Sequence, residues 1–295
     1  MTARARTLQG MALCVAALAC FATLDTTTRW VTAGLGVPVL MALWTRYMIQ
    51  AVANTLLMWP VRGRSLLRTE HPRFQALRGT LLLLTSMFAF FSLRYMPVGE
   101  FTAIVMITPL AITVIAAVML KEPVSKLRWM AVTGGFVGTL IIVRPGGALF
   151  NWTVVFPLAS VITNAWFQLL TSKMSQTEDA LTMHFYTGWM GAVLASLALP
   201  FVWENIHSFS QVWGLLLMGA MGSLGHFCLI HAYQRASPAT LTPFMYSQIL
   251  FAMIGGWLVF SHLPDGPSLA GMALIATCGA GGAWLAMREH RTKQS

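Results

Sequence analysis

Apolar residues run along this chain in long stretches broken by short polar segments, and those stretches define its elements. A helix needs about 20 mainly apolar residues to cross the hydrocarbon core of a bilayer. Such runs occupy 11–32, 38–59, 79–96, 100–120, 129–145, 153–173, 180–200, 213–233, 240–260 and 269–287. In lipid the backbone must satisfy its own hydrogen bonds, and unbroken apolar runs of this length do so as helices. The pattern predicts an all-α polytopic membrane protein of ten transmembrane helices. The third and fifth spans are short, and the hairpins around Arg94–Glu100 and Arg235–Ala239 are tight.

Composition agrees. Hydrophobic residues make up 57% of the 295 positions and charged residues only 9%, against roughly 25% in a soluble domain. The first run follows Arg4 and Arg6 and so imitates a signal peptide, but it contains Asp25 and nine similar runs follow, which makes it the first helix. Cys14, Cys20, Cys228 and Cys278 lie inside apolar stretches with no CxxC pair, and read as small buried hydrophobes.

The net charge of +10 suggests nucleic acid only until its distribution is considered. With a cytoplasmic N-terminus, that side holds Arg4, Arg6, Arg62, Arg64, Arg68, Arg73, Arg78, Lys121, Lys126, Arg128, Lys173, Arg235, Arg288, Arg291 and Lys293, and the other side only Arg94 and Arg144. This bias predicts that both termini are cytoplasmic in a bacterial inner membrane. Trp30, Trp59, Trp129, Trp152, Trp203, Trp213 and Trp284 fall near span ends, as interfacial anchors should.

The two halves match at a fixed offset of 141 residues: Arg94 falls on Arg235, Pro97 on Pro238, Pro123 on Pro264 and Gly138 on Gly279. Near an offset of 144, Thr27-Thr28-Arg29 also matches Thr171-Ser172-Lys173. The matches coincide with equivalent helix boundaries, so two repeats are expected, 1–145 and 146–295, the latter with a short basic tail. Five spans is an odd number, so the second repeat enters the membrane from the opposite side. Inverted repeats of this kind suit alternating access around a midplane site.

The segments Arg94-Tyr-Met-Pro-Val-Gly-Glu100, Met106-Ile-Thr-Pro109, Lys121-Glu-Pro123, Gly134-Gly-Phe-Val-Gly138 and Arg144-Pro-Gly146 resemble the EamA domain of the drug/metabolite transporter superfamily. A looser second copy carries Arg235-x-x-Pro238, Gly255-Gly-Trp257, Pro264-Asp265-Gly-Pro267 and Gly279. The resemblance implies a secondary transporter of small metabolites, with export of amino acids, aromatic ones included, as the leading expectation. Uptake of a metabolite such as S-adenosylmethionine or riboflavin is the alternative. Leu24-Asp25-Thr-Thr-Thr-Arg29-Trp30 looks more like members with an acidic residue in the first helix than like those opening with Trp-Gly-x-x-Phe. Two departures stand out. Ser261-His262-Leu263-Pro264 replaces a glutamate common after the ninth span, and Pro109 has no partner because Leu250 stands there. The sequence does not say whether the two halves bend alike.

Ionisable groups inside a span are costly and functional by default. At 1.5 Å per residue, Asp25 lies about 10 Å below the outer surface and Arg46 about 12 Å down. They are placed to pair, though Arg29 at i+4 competes for Asp25. Such a pair is either a structural lock between the first two helices or an anchor for substrate or gate. His226, about 20 Å into the eighth span, is either a proton carrier or a neutral bonded histidine, and His184 and His231 read as interfacial. Neutral candidates for substrate contact are Asn164, Trp166 and Gln168 on the sixth span, Tyr246 and Gln248 on the ninth, Trp44 and Tyr47 on the second and Trp189 on the seventh. Aromatic rings with a few polar groups suit an amphipathic metabolite; helix packing and hydrogen bonding are the bland alternative. Trp166 and Tyr246 lead that set. Gly134, Gly135, Gly138, Gly279, Gly281 and Gly282 are assigned to close helix contacts. With no phosphate-cradling loop, metal cluster or nucleophile–base pair, neither a cofactor nor a catalytic residue is expected, and a membrane-embedded enzyme is the weaker rival. The expected partners are a small-molecule substrate and the bilayer.

Overall fold

The computed structural model describes residues 3–119, 124–144, 152–174, 177–236, 241 and 244–294. Lys121, Pro123 and Pro238 of the repeat signature lie outside them. Regular structure among the described residues is entirely helical. In chain order it comprises α1 (Ala3–Arg29, running into a π turn at Trp30–Gly34), α2 (Val39–Arg62), α3 (Pro72–Tyr95), α4 (Val98–Val105), α5 (Thr108–Met119) and α6 (Lys126–Val143). It continues with α7 (Val155–Met174), α8 (Ala180–Val202), α9 (Phe209–Tyr233), α10 (Ser247–Phe260) and α11 (Gly266–Gln294). Seven helical stretches are long and apolar enough to cross a membrane, and Trp129–Val143 and Ser247–Phe260 are shorter apolar helices. α2 is long enough but is not among the seven, and it carries Arg46, Gln50 and Asn54. The chain is a multi-pass membrane protein.

Local chemistry sets the boundaries. Pro72 opens α3, where a missing N–H costs nothing. Asp179 caps α8 by accepting from the Leu181 and Thr182 backbone N–H groups, and Ser208 with Gln211 forms a capping box on α9. The expected fourth span is broken between α4 and α5. Pro109 cannot donate to the Val105 carbonyl, and the Thr108 hydroxyl donates to it instead at 2.6 Å. The expected ninth span is also broken, at Tyr246, which sits at the Val105 position plus 141 although Leu250 replaces the proline. The third span begins at Pro72 rather than at 79, so Arg78 is buried inside α3 instead of lying in a loop.

The tightest helix pairs are α1 with α9, α3 with α7, α6 with α11 and α2 with α8. α2 also packs on α9, α3 on α8, α1 on α10, α7 on α4 and α5, and α4 on α10. Small residues allow several of these approaches. A Cβ at Gly138 of α6 would lie 2.9 Å from the Gly271 carbonyl oxygen of α11, and one at Gly271 2.7 Å from that of Gly138. Gly134 meets Cys278 and Gly279 lies under Tyr246, whereas Gly281 faces open space and so departs from the expected contact role.

Two larger interior clusters result. One joins α4, α6, α10 and α11 through Ile104, Ile142, Tyr246, Met272 and Ile275, with the polar side chains of Glu100, Thr102 and Thr139 also buried on its helices. The other joins α1, α2, α3, α8 and α9 around Leu43, Tyr47, Phe90 and Met218, and buried polar side chains sit within it.

Candidate substrate site

α2 places Arg46, Gln50 and Asn54 at i, i+4 and i+8, so they share one face of the helix. That face is turned inward: Arg46 is 5% exposed, Gln50 1% and Asn54 4%. Arg46 donates through Nη1 to the Ser86 hydroxyl of α3 at 2.6 Å, and Tyr47 is hydrogen-bonded to the same oxygen at 3.0 Å. The guanidinium lies 5.0 Å from the Tyr47 ring centre and 5.8 Å from that of Phe90, a cation–π arrangement. Gly222 of α9 makes room for it, since a Cβ there would meet Arg46 Nε at 3.4 Å. That Nε is buried without a hydrogen-bond partner among the described residues.

Asp25 reaches the same region from α1. Its partner is Gln248 of α10, whose Nε2 donates to Oδ2 at 3.3 Å. Asp25 and Arg46 are within electrostatic reach of one another, but among the described residues no ion pair joins them. The expected direct pair is therefore corrected to two opposite charges facing one interior region. The i+4 alternative fails as well. Arg29 donates to the carbonyls of Leu93, at 3.0 Å, and Met96, and lies over the Phe260 ring. It thereby ties α1 to the C-terminal end of α3, because the side chain extends towards the free carbonyls at that helix terminus.

His226 of α9 packs against Phe21 at 5.0 Å and against His184 of α8 at 5.5 Å between ring centres. His184 is buried, not interfacial as its position near a span end suggested. His226 is half-buried.

The neutral candidates divide. Gln248 is in the site, and Tyr47 supports it by bonding Ser86 and filling the space above Gly191. Trp44 and Trp189 are structural ties between α2 and α8: their ring N–H groups donate to Ser196 and Thr55 at 2.8 and 3.0 Å. Tyr246 is buried in the apolar cluster, its hydroxyl lacking a partner among the described residues. Gln168 donates to Asn164 along α7 at 3.4 Å. Trp166 is 38% exposed, on one face with Val155, Leu158 and Ile162, and is not brought to the interior. Its aromatic character gave no sign of which way the helix would turn. Missed by sequence reading were Gln50, Asn54 and Ser86; the four-residue spacing from Arg46 was the available signal for the first two.

Polar contacts also close both ends of the helix assembly. At one end the Glu100 carboxylate, buried at the start of α4, meets His262 Nε2 at 3.0 Å, and Arg144 pairs with Asp265. Here His262 is hydrogen-bonded to the Glu100 carboxylate, so the run that departs from the family pattern still supplies a polar group. At the other end Glu178 accepts from the Thr69 hydroxyl (2.6 Å), from the backbone N–H groups of Glu70 and His71 (2.9 and 3.0 Å) and from Gln75 (3.4 Å).

The sequence-family comparison decides what such a membrane-embedded polar site belongs to. The model of the EamA-like transporter family matches residues 8–144 and again 151–281. The chain belongs to the EamA-like transporter family. Among its relatives in the drug/metabolite transporter superfamily is a riboflavin transporter of Vibrio cholerae, 27% identical over 93% of each chain. An S-adenosylmethionine uptake transporter of Rickettsia bellii is 27% identical over 72% of this chain and 73% of its own. A pseudopaline exporter of Pseudomonas aeruginosa is 25% identical over 67% and 70%. A protein of known crystal structure superposes with a TM-score of 0.60 over 92% of this chain and 98% of its own, at 16% identity, which speaks for the fold alone. As an EamA-like transporter the chain moves a small molecule across a membrane.

Proposed function

We propose that this EamA-like transporter is a secondary transporter working by alternating access in the bacterial inner membrane. Its substrate is a small zwitterionic metabolite of amino-acid type. The observation that carries this reading is the unpaired placement of Asp25 and Arg46. The carboxylate, held among the described residues by Gln248 alone, suits a substrate ammonium, and the guanidinium, with Nε unpartnered among them, suits a substrate carboxylate. Buried charges are otherwise paired or neutralised.

Two inverted five-helix halves, 1–145 and 146–295, with both termini cytoplasmic, are part of the proposal. Exchange of the halves converts the α1–α9 contact into α7–α3, α2–α9 into α8–α3 and α1–α10 into α7 against α4 and α5. It leaves α2–α8, α4–α10 and α6–α11 unchanged. The two family matches, and the breaks at Met106–Ile107 and at Tyr246, one residue apart in the 141 offset, support the same reading. Export of amino acids is the direction first expected. Uptake is the second reading, favoured by the uptake transporter of Rickettsia bellii.

Proteoliposomes test it. Labelled amino acids and S-adenosylmethionine are offered in each direction, with and without a pH gradient. Flux of a zwitterion is expected, lost in Asp25→Asn and in Arg46→Gln at normal folded yield. Flux of an uncharged solute that survives both substitutions sinks the proposal. A reporter fused after Ser295 and active only in the periplasm sinks the orientation.

A further inference from the structure

Arg78 stands apart from the site around Asp25. It is 7% exposed on α3, and every partner it has is neutral. Nε donates to the Thr171 hydroxyl at 2.7 Å, and Nη1 donates to the Met183 carbonyl at 2.8 Å and to the Thr187 hydroxyl. The guanidinium lies 4.8 Å from the Phe167 ring centre. Among the described residues no carboxylate forms an ion pair with it and Nη2 makes no hydrogen bond. Asn54 comes to the same stretch of α8 from α2: a Cβ at Gly188 would lie 3.4 Å from Asn54 Nδ2, which is buried without a partner. His184 lies one turn before Gly188 and leads to His226 on α9, which is within electrostatic reach of both Arg78 and Arg46. Gln50, with neither amide atom partnered, lies between Asn54 and Arg46 on α2.

Among the described residues, two guanidinium groups in this compartment thus face one carboxylate, Asp25, and that carboxylate is beside Arg46. An uncompensated buried cation is unfavourable by several kcal/mol in general. Such a cation persists in a membrane interior chiefly where it has a functional counter-charge. We propose that the junction of α2, α3, α8 and α9 around Arg78, Asn54, Thr187 and His184 is a second subsite, binding the carboxylate of the transported metabolite on its way between Arg46 and the α2–α3 end of the molecule. This rests on the reading of the chain as a carrier of carboxylate-bearing solutes. The guanidinium supplies the charge through Nη2, and Asn54 and His184 supply neutral hydrogen bonds. The field of Arg46 is offset by Asp25, and that of Arg78 is not, so a bare carboxylate without an ammonium prefers the Arg78 subsite.

Acetate is the probe. The thermal midpoint of the purified full-length protein in detergent is followed against potassium acetate, with potassium chloride holding ionic strength constant. A saturable rise is expected in the wild type and in Arg46→Gln. In Arg78→Gln the half-saturating concentration should increase about tenfold or more, the loss of one charge-assisted contact. Asn54→Leu provides a variant that keeps the fold. Removing an unpartnered buried amide leaves stability unchanged or higher, so a weakened acetate response at an undiminished midpoint supports the subsite. Should Arg78→Gln fail to fold, Asn54→Leu alone decides. The proposal falls if the wild type does not respond to acetate, or if Arg78→Gln and Asn54→Leu respond as the wild type does. It also falls if Arg46→Gln alone loses the response; zwitterion flux dependent on Asp25 and Arg46 would then still stand.

Discussion

The two larger interior clusters are buried to a similar depth, yet only the second buries guanidinium groups. Around α4, α6, α10 and α11 most contacts are apolar, with Glu100, Thr102 and Thr139 the polar side chains buried among them, and α6 and α11 touch through their backbones at Gly138 and Gly271. Around α2, α3, α8 and α9 the same kind of helix crossing encloses Arg46, Gln50, Asn54, Arg78 and His184, with His226 half-buried beside them. Small residues and dispersion suffice to hold helices together in lipid, and the first cluster relies chiefly on them. The second buries two guanidinium groups, Arg46 and Arg78, that cohesion does not require.

The comparison can be broken first in the scaffold. Gly138→Leu places a side chain where Gly271 backbone and Ile275 already lie. Backbone cannot yield as a flexible side chain can, so the expected loss is about 3 kcal/mol or more, read as a fall in folded yield and thermal midpoint. Flux per folded molecule should be unchanged among the survivors. A normal midpoint would show that α6 and α11 are not in backbone contact.

The polar cluster should respond the other way. Arg46→Gln removes one charge-assisted contact to substrate, about 1.5–3 kcal/mol, or roughly 10- to 100-fold in flux, with the midpoint unchanged or higher because a buried charge has gone. Loss of folded protein in step with flux would make Arg46 structural.

A smaller effect is expected at the α2–α3 end, outside the membrane. Burial pushes the Glu178 carboxyl up, but the donors from Thr69, His71, Glu70 and Gln75 outweigh it and hold the group below its usual range. A depressed carboxyl contributes stability that is present above its unfolded value, near 4.3, and is lost as pH falls through the lower folded value. Glu178→Gln should lower the midpoint by the equivalent of about 1–2 kcal/mol at neutral pH, and flatten the acid limb of a stability profile below about pH 4.5. An unaltered acid limb would show that Glu178 does not clasp the two loops.

The smallest effect is reserved for Tyr246→Phe. The hydroxyl is buried over Gly279 without a partner among the described residues. Deleting it should raise the midpoint slightly, by about 1 kcal/mol or less, and leave the Michaelis constant for flux unaltered. A several-fold rise in that constant would return Tyr246 to the substrate site and blur the division between the clusters.

Hydropathy by itself determined that the chain is helical and membrane-embedded, and it placed most helix ends within a few residues, because lipid leaves the backbone no other way to satisfy itself. Asp25 and Arg46 were legible for the same reason: a charge inside an apolar run is conspicuous. Arg78 was not, since it lies beside the basic segment Arg62–Arg73 and only the early start of α3 at Pro72 carries it inside. What one-dimensional pattern could not supply was helix rotation. Trp166 and Gln50 lie in the same kind of apolar run, yet α7 turns Trp166 outward and α2 turns Gln50 inward. Those azimuths are set by which neighbours each helix packs against, through contacts such as Gly222 under Arg46 and Gly191 under Tyr47, and only the tertiary structure brings those residues together.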